Sequence, residues 1–488
     1  MSIAYETIDN TVRVPLAYIE FDNSGAVKGT PVLQYRTLML GLRLSSGRVS
    51  AGEPMRITRS DAATDAFGQG SQLATMARAF INANPTADLW CLAVDDDEDG
   101  TRATGTIVLT GPCTTAGQIT LMIAGVKAYV NAKVGDTAAA LAQKIAKAVN
   151  DDASLPVTAG VADAKVTFTA KWSGLTGNDI DLRINYYTGE MLPEGVGCTI
   201  TPMSGGVGNP DLGSTIAAFG ETWWQFVVNP FTDTANLDLL SAEFVSRWGG
   251  MRQIDSTCFM AYRGTYAQTS AFGTARNDYL FCTMGTNHTP EPAYIWASVL
   301  AAVSVKSLAI DPARPLQTLT LTGLKPPSVS DRWTWQERNL HLYDGVSVYS
   351  VDAGGYVQID RCITMYRVNK YGSPDPSYLD VETIATLSYI RYAIRTRITQ
   401  KFPRHKLADD GTRFGPGQPM VTPRIITDEL LALFTELEEK GLVENFEAFK
   451  STLLVERNAD DRNRLDVRSN EDLVNQFRVY AHAIQFVL

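Results

Sequence analysis

The chain has 488 residues, 45% hydrophobic and 20% charged, a balance that excludes a disordered chain and allows several domains. A formal net charge of −10 excludes a general nucleic-acid binder, because phosphates demand a basic footprint. The opening MSIAYETIDN lacks a charged-then-apolar signal pattern. The longest uncharged apolar run, 293–305, is shorter than the ~18 residues of a membrane span. The expectation is a soluble chain made in the cytoplasm, without direct membrane insertion.

Residues 1–30 read as an arm. TVRVPLAYIEF is extended in character, with Val12, Val14, Leu16 and Tyr18 on one face. Pro15 cannot donate to a ladder and so places this strand at an edge. DNSG at 22–25 is a turn signal.

Residues 31–103 read as the first part of a core domain. LQYRTLMLGLRL is a strand, and GSQLATMARAFINAN is a helix with Leu73, Met76 and Phe80 on one face. DLWCLAV is a short, apolar strand, so the order is that of an α/β unit.

The pattern turns β-rich over 104–208, which reads as an inserted domain. TGTIVLTG, QITLMIAGVKAYV, KVTFTAKWSG and DIDLRINYY are strands. One helix begins at about Thr137, with Leu141, Ile145 and Val149 in a stripe. SGGVGNP at 204–210 reads as a flexible return linker.

The core resumes over 209–359. WWQFVVNP, TCFMAYR and DYLFCTM are strands, and Leu237, Leu240, Phe244 and Trp248 share a helix face. PEPAYIWASVLAAVSVKSL is a buried helix with proline near its start. A hairpin with a Gly-rich turn at 352–355 bridges to a last domain, 360–476. That domain holds a helix striped by Ile384, Leu387, Ile390, Ile394 and Ile398, and a second one opened by the cap pair Thr422 and Pro423. The chain closes on a strand, FRVYAHAIQFVL at 477–488.

Chemistry is sparse. DDDEDG at 95–100 imitates the start of a calcium loop, but position 12 is Thr106 where a bidentate glutamate belongs, so an acidic turn is the better reading. GGVG at 205–208 lacks the third glycine of a dinucleotide loop, and no GK[ST] occurs. The four histidines show no metal-ligand spacing. No G-x-S-x-G elbow occurs, and His288 is the one candidate base. The six cysteines, none in a C-x-x-C pair, read as buried free thiols. Catalytic, cofactor and metal residues are therefore expected to be none. Six basic residues and no acidic one lie between Arg391 and Lys406, a reversal of charge in an acidic chain. They read either as a solvated basic face or as a contact for an acidic partner.

Two strands of edge type remain, one at each end, and unpaired strands are templates for pairing with another chain. The C-terminal one spans about 40 Å at ~3.3 Å per residue. Phe477 and Val479 lie on one face. Tyr480, Ile484, Phe486 and Leu488 lie on the other.

Several stretches resemble the tail sheath proteins of contractile-tailed bacteriophages, in their Mu-like branch. They run in order along essentially the whole chain: VRVPLAYIEFDNSGA, AAFGQGSQLATMARAF, LTGNDIDLRINYY, GGVGNPDL, VVNPFTDTANL, DPARPLQTLTLTGLKPPS, DGVSVYSVDAGGYVQIDRCITMYRVN, GSPDPSYLDVET, VERNADDRNRLDV and DLVNQFRVYAHAIQFVL. The resemblance implies a multidomain α/β and β fold. A split, non-catalytic, subtilisin-like α/β domain would carry an inserted β-rich outer domain. An α+β C-terminal domain would lie innermost, flanked by extended N- and C-terminal strand arms.

It further implies a structural virion protein that is not an enzyme. Subunits would form stacked six-fold rings in a helical sheath around a tail tube, linked by exchange of their terminal strands. Contraction would drive the tube through the host envelope for genome delivery, with no cofactor. The partners implied are other copies, the tail tube, baseplate and tail terminator proteins, with synthesis in the host bacterial cytoplasm. Arg391, Arg395 and Lys401 would face an acidic tube. Two rivals stand beside this reading: a subtilisin-fold hydrolase, and an adhesin whose 104–208 insert binds glycans.

Overall fold

A computed structural model of the protein describes residues 33–487 together with Val14 and Ile19. Val12, Leu16, Tyr18 and Leu488 lie outside the described residues. The chain forms two compact units, Tyr35–Ile384 and one containing Ala385–Leu488.

The first unit opens with β1 (Arg36–Leu42), β2 (Pro54–Ile57), α1 (Ser60–Phe67), α2 (Gln72–Ala83) and β3 (Asp88–Val94). The insert follows as β4 (Arg102–Thr110), β5 (Gly117–Ile123), β6 (Val126–Ala132), α3 (Ala138–Asp151), β7 (Val157–Ala162), β8 (Lys165–Ser173), β9 (Leu182–Ile184) and β10 (Gly197–Ser204). The chain then returns through α4 (Gly213–Ala217), β11 (Phe226–Val228), α5 (Thr234–Trp248), β12 (Thr257–Tyr262), α6 (Tyr266–Thr274) and β13 (Phe281–Gly285). The long α7 (Ala293–Ile310), α8 (Trp335–Tyr343), β14 (Val348–Val351) and β15 (Val357–Arg361) complete it.

Strands from both sides of the insert share one sheet, in the order β13-β12-β11-β1-β3-β2 among the described residues. Neighbours pair in parallel except β2, an antiparallel edge strand. Leu38, Met39, Leu40, Cys91, Leu92 and Ala93 are fully buried, the continuous apolar run of a sheet covered on both faces. Ser71 starts α2 locally: its Oγ accepts from Ala74 N at 3.1 Å. By length and composition alone α7 would cross a membrane, but 67% of it is buried, and it packs on α2 and β12 as a core helix.

The insert builds a core of its own. Its sheets run β10-β4-β8-β7 and β6-β5-β9, and Leu141, Ile145 and Val149 of α3 are fully buried. Thr137 caps α3, as its sequence indicates. Polar contacts hold insert to core: Arg263 Nη2 to Asp181 Oδ1 at 2.7 Å, Tyr186 Oη to Pro326 O at 2.5 Å, and Ser173 N to Asp96 Oδ2 at 3.1 Å.

The sequence reading of GGVG as a flexible linker is corrected. Val207 forms a two-way backbone bridge with Thr101, N to O at 2.8 and 3.2 Å, and Gly206 is bound both ways by the Asn178 amide. These partners lie far off in sequence, which hides them from a local reading.

The β14–β15 hairpin forms around the Gly-rich turn, but it lies wholly within the first unit. Ser347 exchanges backbone bonds with Thr283 and Gly285 of β13, and Met365 N donates to Phe281 O at 2.9 Å. Main-chain pairing thus holds the chain as far as Met365 to the large sheet. The helix α9 (Val381–Lys401) contains the division between the units.

The second unit contains β16 (Lys406–Leu407), β17 (Met420–Val421), α10 (Pro423–Glu439), β18 (Val443–Glu444), α11 (Phe446–Thr452), β19 (Leu454–Arg457), β20 (Leu465–Arg468) and β21 (Asp472–Leu473). Thr422 caps α10 and Pro423 opens it, as their types predict. Val421, Ile426 and Leu430 form a small core with Ile394, Ile398, Val455 and Leu465 packed against it. Its strands pair only in twos, β16-β17, β18-β21 and β19-β20, among the described residues.

Candidate assembly site

The alternation in 477–488 predicts a strand, but residues 474–487 join no ladder with another strand among the described residues. Val474 N donates to Leu442 O at 3.2 Å. Beyond it the large apolar side chains stand in water: Phe477, Val479 and Tyr480 are exposed, Ile484 is 78% exposed, Phe486 79% and Val487 98%. Val14, on the N-terminal arm of the sequence reading, is exposed as well. Alternation supplies a strand's side-chain pattern, but a ladder needs a neighbouring backbone.

A complementary feature lies in the same unit. An apolar groove of about 260 Å³ is lined by Ile394 and Ile398 of α9, Leu430 and Leu433 of α10 and Phe449 of α11. Val467, Ser469 and Glu471, every second residue of an extended segment, line it from the side of β20. β20 pairs with β19 alone, so its other edge has no strand partner among the described residues. An unpaired edge beside an unfilled apolar hollow accepts a strand: backbone groups supply the bonds, and alternate side chains fill the hollow.

The basic run of 391–406 divides. Arg397 is 8% exposed and points inward, its Nη1 2.7 Å from Glu429 Oε1 and its Nη2 on Glu436 Oε2. Lys401 Nζ donates to the same Glu429 Oε1 at 2.7 Å. Burial works against ionising Glu429, but the hydrogen bonds from Lys401 and Arg397 outweigh it and hold the carboxyl below its ordinary value. Arg395 and Arg404 are exposed, and Arg391 is half-buried. So Lys401, one of the three expected tube-contact residues, already has an acidic partner within its own chain. Sequence reasoning counted charges along α9, and nothing in the local pattern showed that α10 faces it with two glutamates.

The other chemical candidates are not brought together. Asp95 pairs with Arg43 Nε at 2.6 Å, Asp96 takes Ser173, and Asp97 Oδ1 takes Asp99 N at 3.2 Å, so 95–100 is a turn stitched to its surroundings. Among the described residues no group of three His, Cys, Asp or Glu is placed to hold a metal. His288 is exposed, and its carbonyl takes Arg183 Nη2 at 3.1 Å. All six cysteines are free, and all but Cys198 are buried. Burial pushes the Cys91 and Cys258 thiols far up, which keeps them inert.

Residues 205–365 match the family model of the phage tail sheath protein central domain, and 373–487 that of the phage tail sheath C-terminal domain. The chain is 55% identical, over 488 residues and the full length of both, to the Mu-like prophage FluMu tail sheath protein of Haemophilus influenzae. In fold it is similar to the crystal structure of a sheath tail protein from Desulfitobacterium hafniense, with TM-score 0.50 and 12% identity over 94% of this chain and 97% of that one. It is also similar to a chain in the six-fold symmetrised baseplate structure of the anti-feeding prophage, with TM-score 0.51 and 10% identity over 98% of this chain and 100% of that one.

Proposed function

The chain belongs to the phage tail sheath protein family, and on that premise we propose that it polymerises as stacked six-fold rings around a tail tube and contracts to drive that tube through the host envelope. The relatives are structural sheath proteins, so this chain is a structural protein and not an enzyme. In this reading the six-stranded α/β body is a split, non-catalytic, subtilisin-like domain. The insert 104–208 faces outward and the C-terminal domain lies innermost, near the tube. Other copies, tube, baseplate and terminator are the partners, and the virion tail is its place after synthesis in the host cytoplasm.

One observation carries the assembly part of the reading: an exposed apolar C-terminal segment and an open strand-accepting groove occur in one subunit. Between copies the two satisfy each other, which gives an open chain of heterologous joints and hence a helical polymer. Main-chain pairing makes few sequence demands and keeps its strength when the joined bodies rotate. That suits a sheath that must shorten without coming apart. Contraction is then relaxation of a metastable packing, with no fuel.

The test is deletion of 477–488. The truncated subunit is expected to stay folded by circular dichroism while purified material no longer forms cylinders in negative-stain micrographs. Normal cylinders from the truncated chain would defeat the strand-exchange reading.

A further inference from the structure

The groove and the arm are close neighbours along the chain. Ser469 and Glu471 form part of the groove's wall, β21 ends at Leu473, and the arm begins at Val474. From there to Ile484 is ten residues, about 33 Å of extended chain. That exceeds what is needed to turn back along a groove whose wall begins three residues before the departure point. The groove offers a mainly apolar lining and an edge of β20 with no strand partner among the described residues, while the arm offers Ile484 and Phe486 on one face, both exposed. Two unsatisfied apolar surfaces within reach on one molecule bury each other by the hydrophobic effect. Closure of so short a loop costs little entropy, and its effective concentration exceeds that of a neighbour's arm in dilute solution.

We propose that in the free subunit the arm folds back into its own groove, with Ile484 and Phe486 seated against α9 and α10, so that assembly is an exchange of cis docking for trans docking. This rests on the strand-exchange reading above and adds to it a closed resting state. The self-docked arm covers both sticky surfaces of the monomer and restrains premature polymerisation. The joint formed in the sheath repeats the bonds broken in the monomer, so exchange is near balance. Small extra contacts, such as those offered by a growing end, then decide its direction. Both surfaces face water in the conformation described above, which is the open state of this equilibrium.

The experiment is amide hydrogen exchange on the full chain, at dilutions where size-exclusion chromatography reads monomer, beside the full-length variant Ile484→Asp/Phe486→Asp. The expected result is exchange across 465–471 at least about tenfold slower in the native monomer than in the variant, and unchanged over a tenfold dilution. Equal rates in the two proteins, or protection that fades on dilution, would overturn cis docking. Micrographs of the same variant at high concentration test the underlying reading separately. A variant that still builds normal cylinders refutes strand exchange itself. A variant that builds none, beside a native monomer without protection, refutes only the closed state.

Discussion

Replacing Arg397 by Met would show how the groove's floor is held. The Arg397 guanidinium bridges Glu429 and Glu436, so it clamps α10 to α9 at the level of Ile394 and Ile398, which line the groove. Removing one partner of a fully buried pair costs about 3–5 kcal/mol, because the other charge is left uncompensated. Here two facts reduce that figure. Lys401 remains on Glu429, and Glu436 is 35% exposed, so water re-solvates part of it. Methionine also keeps most of the apolar stem. About 2 kcal/mol is the expected loss, felt in the second unit.

The assay is urea unfolding followed by hydrogen exchange in α9 and α10, because the eight tryptophans all lie before residue 385 and do not report on this unit. A double-mutant cycle with Glu436→Gln is expected to show coupling of about 1 kcal/mol. Acid acts in the same sense. The Glu429 carboxyl is held below its unfolded value, so its contribution is present above that value, near pH 4.3, and is lost as pH falls through the folded one. A loss below about 0.5 kcal/mol with no coupling would refute the clamp, since it would put the pair in the class of surface ion pairs.

Three further outcomes are expected. His341 is fully buried against the rings of Trp333 and Tyr266, with no hydrogen-bond partner for either ring nitrogen among the described residues, and burial pushes its pKa down. Its contribution to stability is present above the unfolded value near pH 6.5 and drains as pH falls. His341→Phe should therefore raise the melting temperature by removing unmet polar groups worth about 1–3 kcal/mol, with a larger gain at pH 5 than at pH 8; calorimetry showing a lower melting temperature at both would be fatal to this account. Burial pushes the Asp179 carboxyl up to about 7 against the opposing charge of Arg263. A raised folded value means stability is present at low pH and drains between about pH 4 and 7, so Asp179→Asn should stabilise the protein at pH 8 and leave it little changed at pH 4. Reversing Arg391 and Arg395 to Glu should impair assembly on the tube while purified subunits still form cylinders alone; an unchanged yield of virions would count against a tube-facing role.

Features held by neighbours in sequence were legible from sequence. Thr137 and the Thr422–Pro423 pair start their helices through bonds that close within three or four residues, so composition and spacing are enough. The same holds for the Gly-rich turn between β14 and β15 and for the apolar runs of β1 and β3. Long ordered stretches of text carried the resemblance to the sheath family, which needs no coordinates. Tertiary structure decided whatever depends on a distant partner. GGVG looks flexible until Thr101 and Asn178 close on it. Arg397 and Lys401 look like surface charge until α10 brings Glu429 within reach. The alternation of 477–488 marks a strand by its side chains, but a strand becomes a ladder only beside another backbone. Where the chain provides the hollow for one, against α9, α10 and α11, follows from how three helices pack, and no local pattern along the sequence encodes that void.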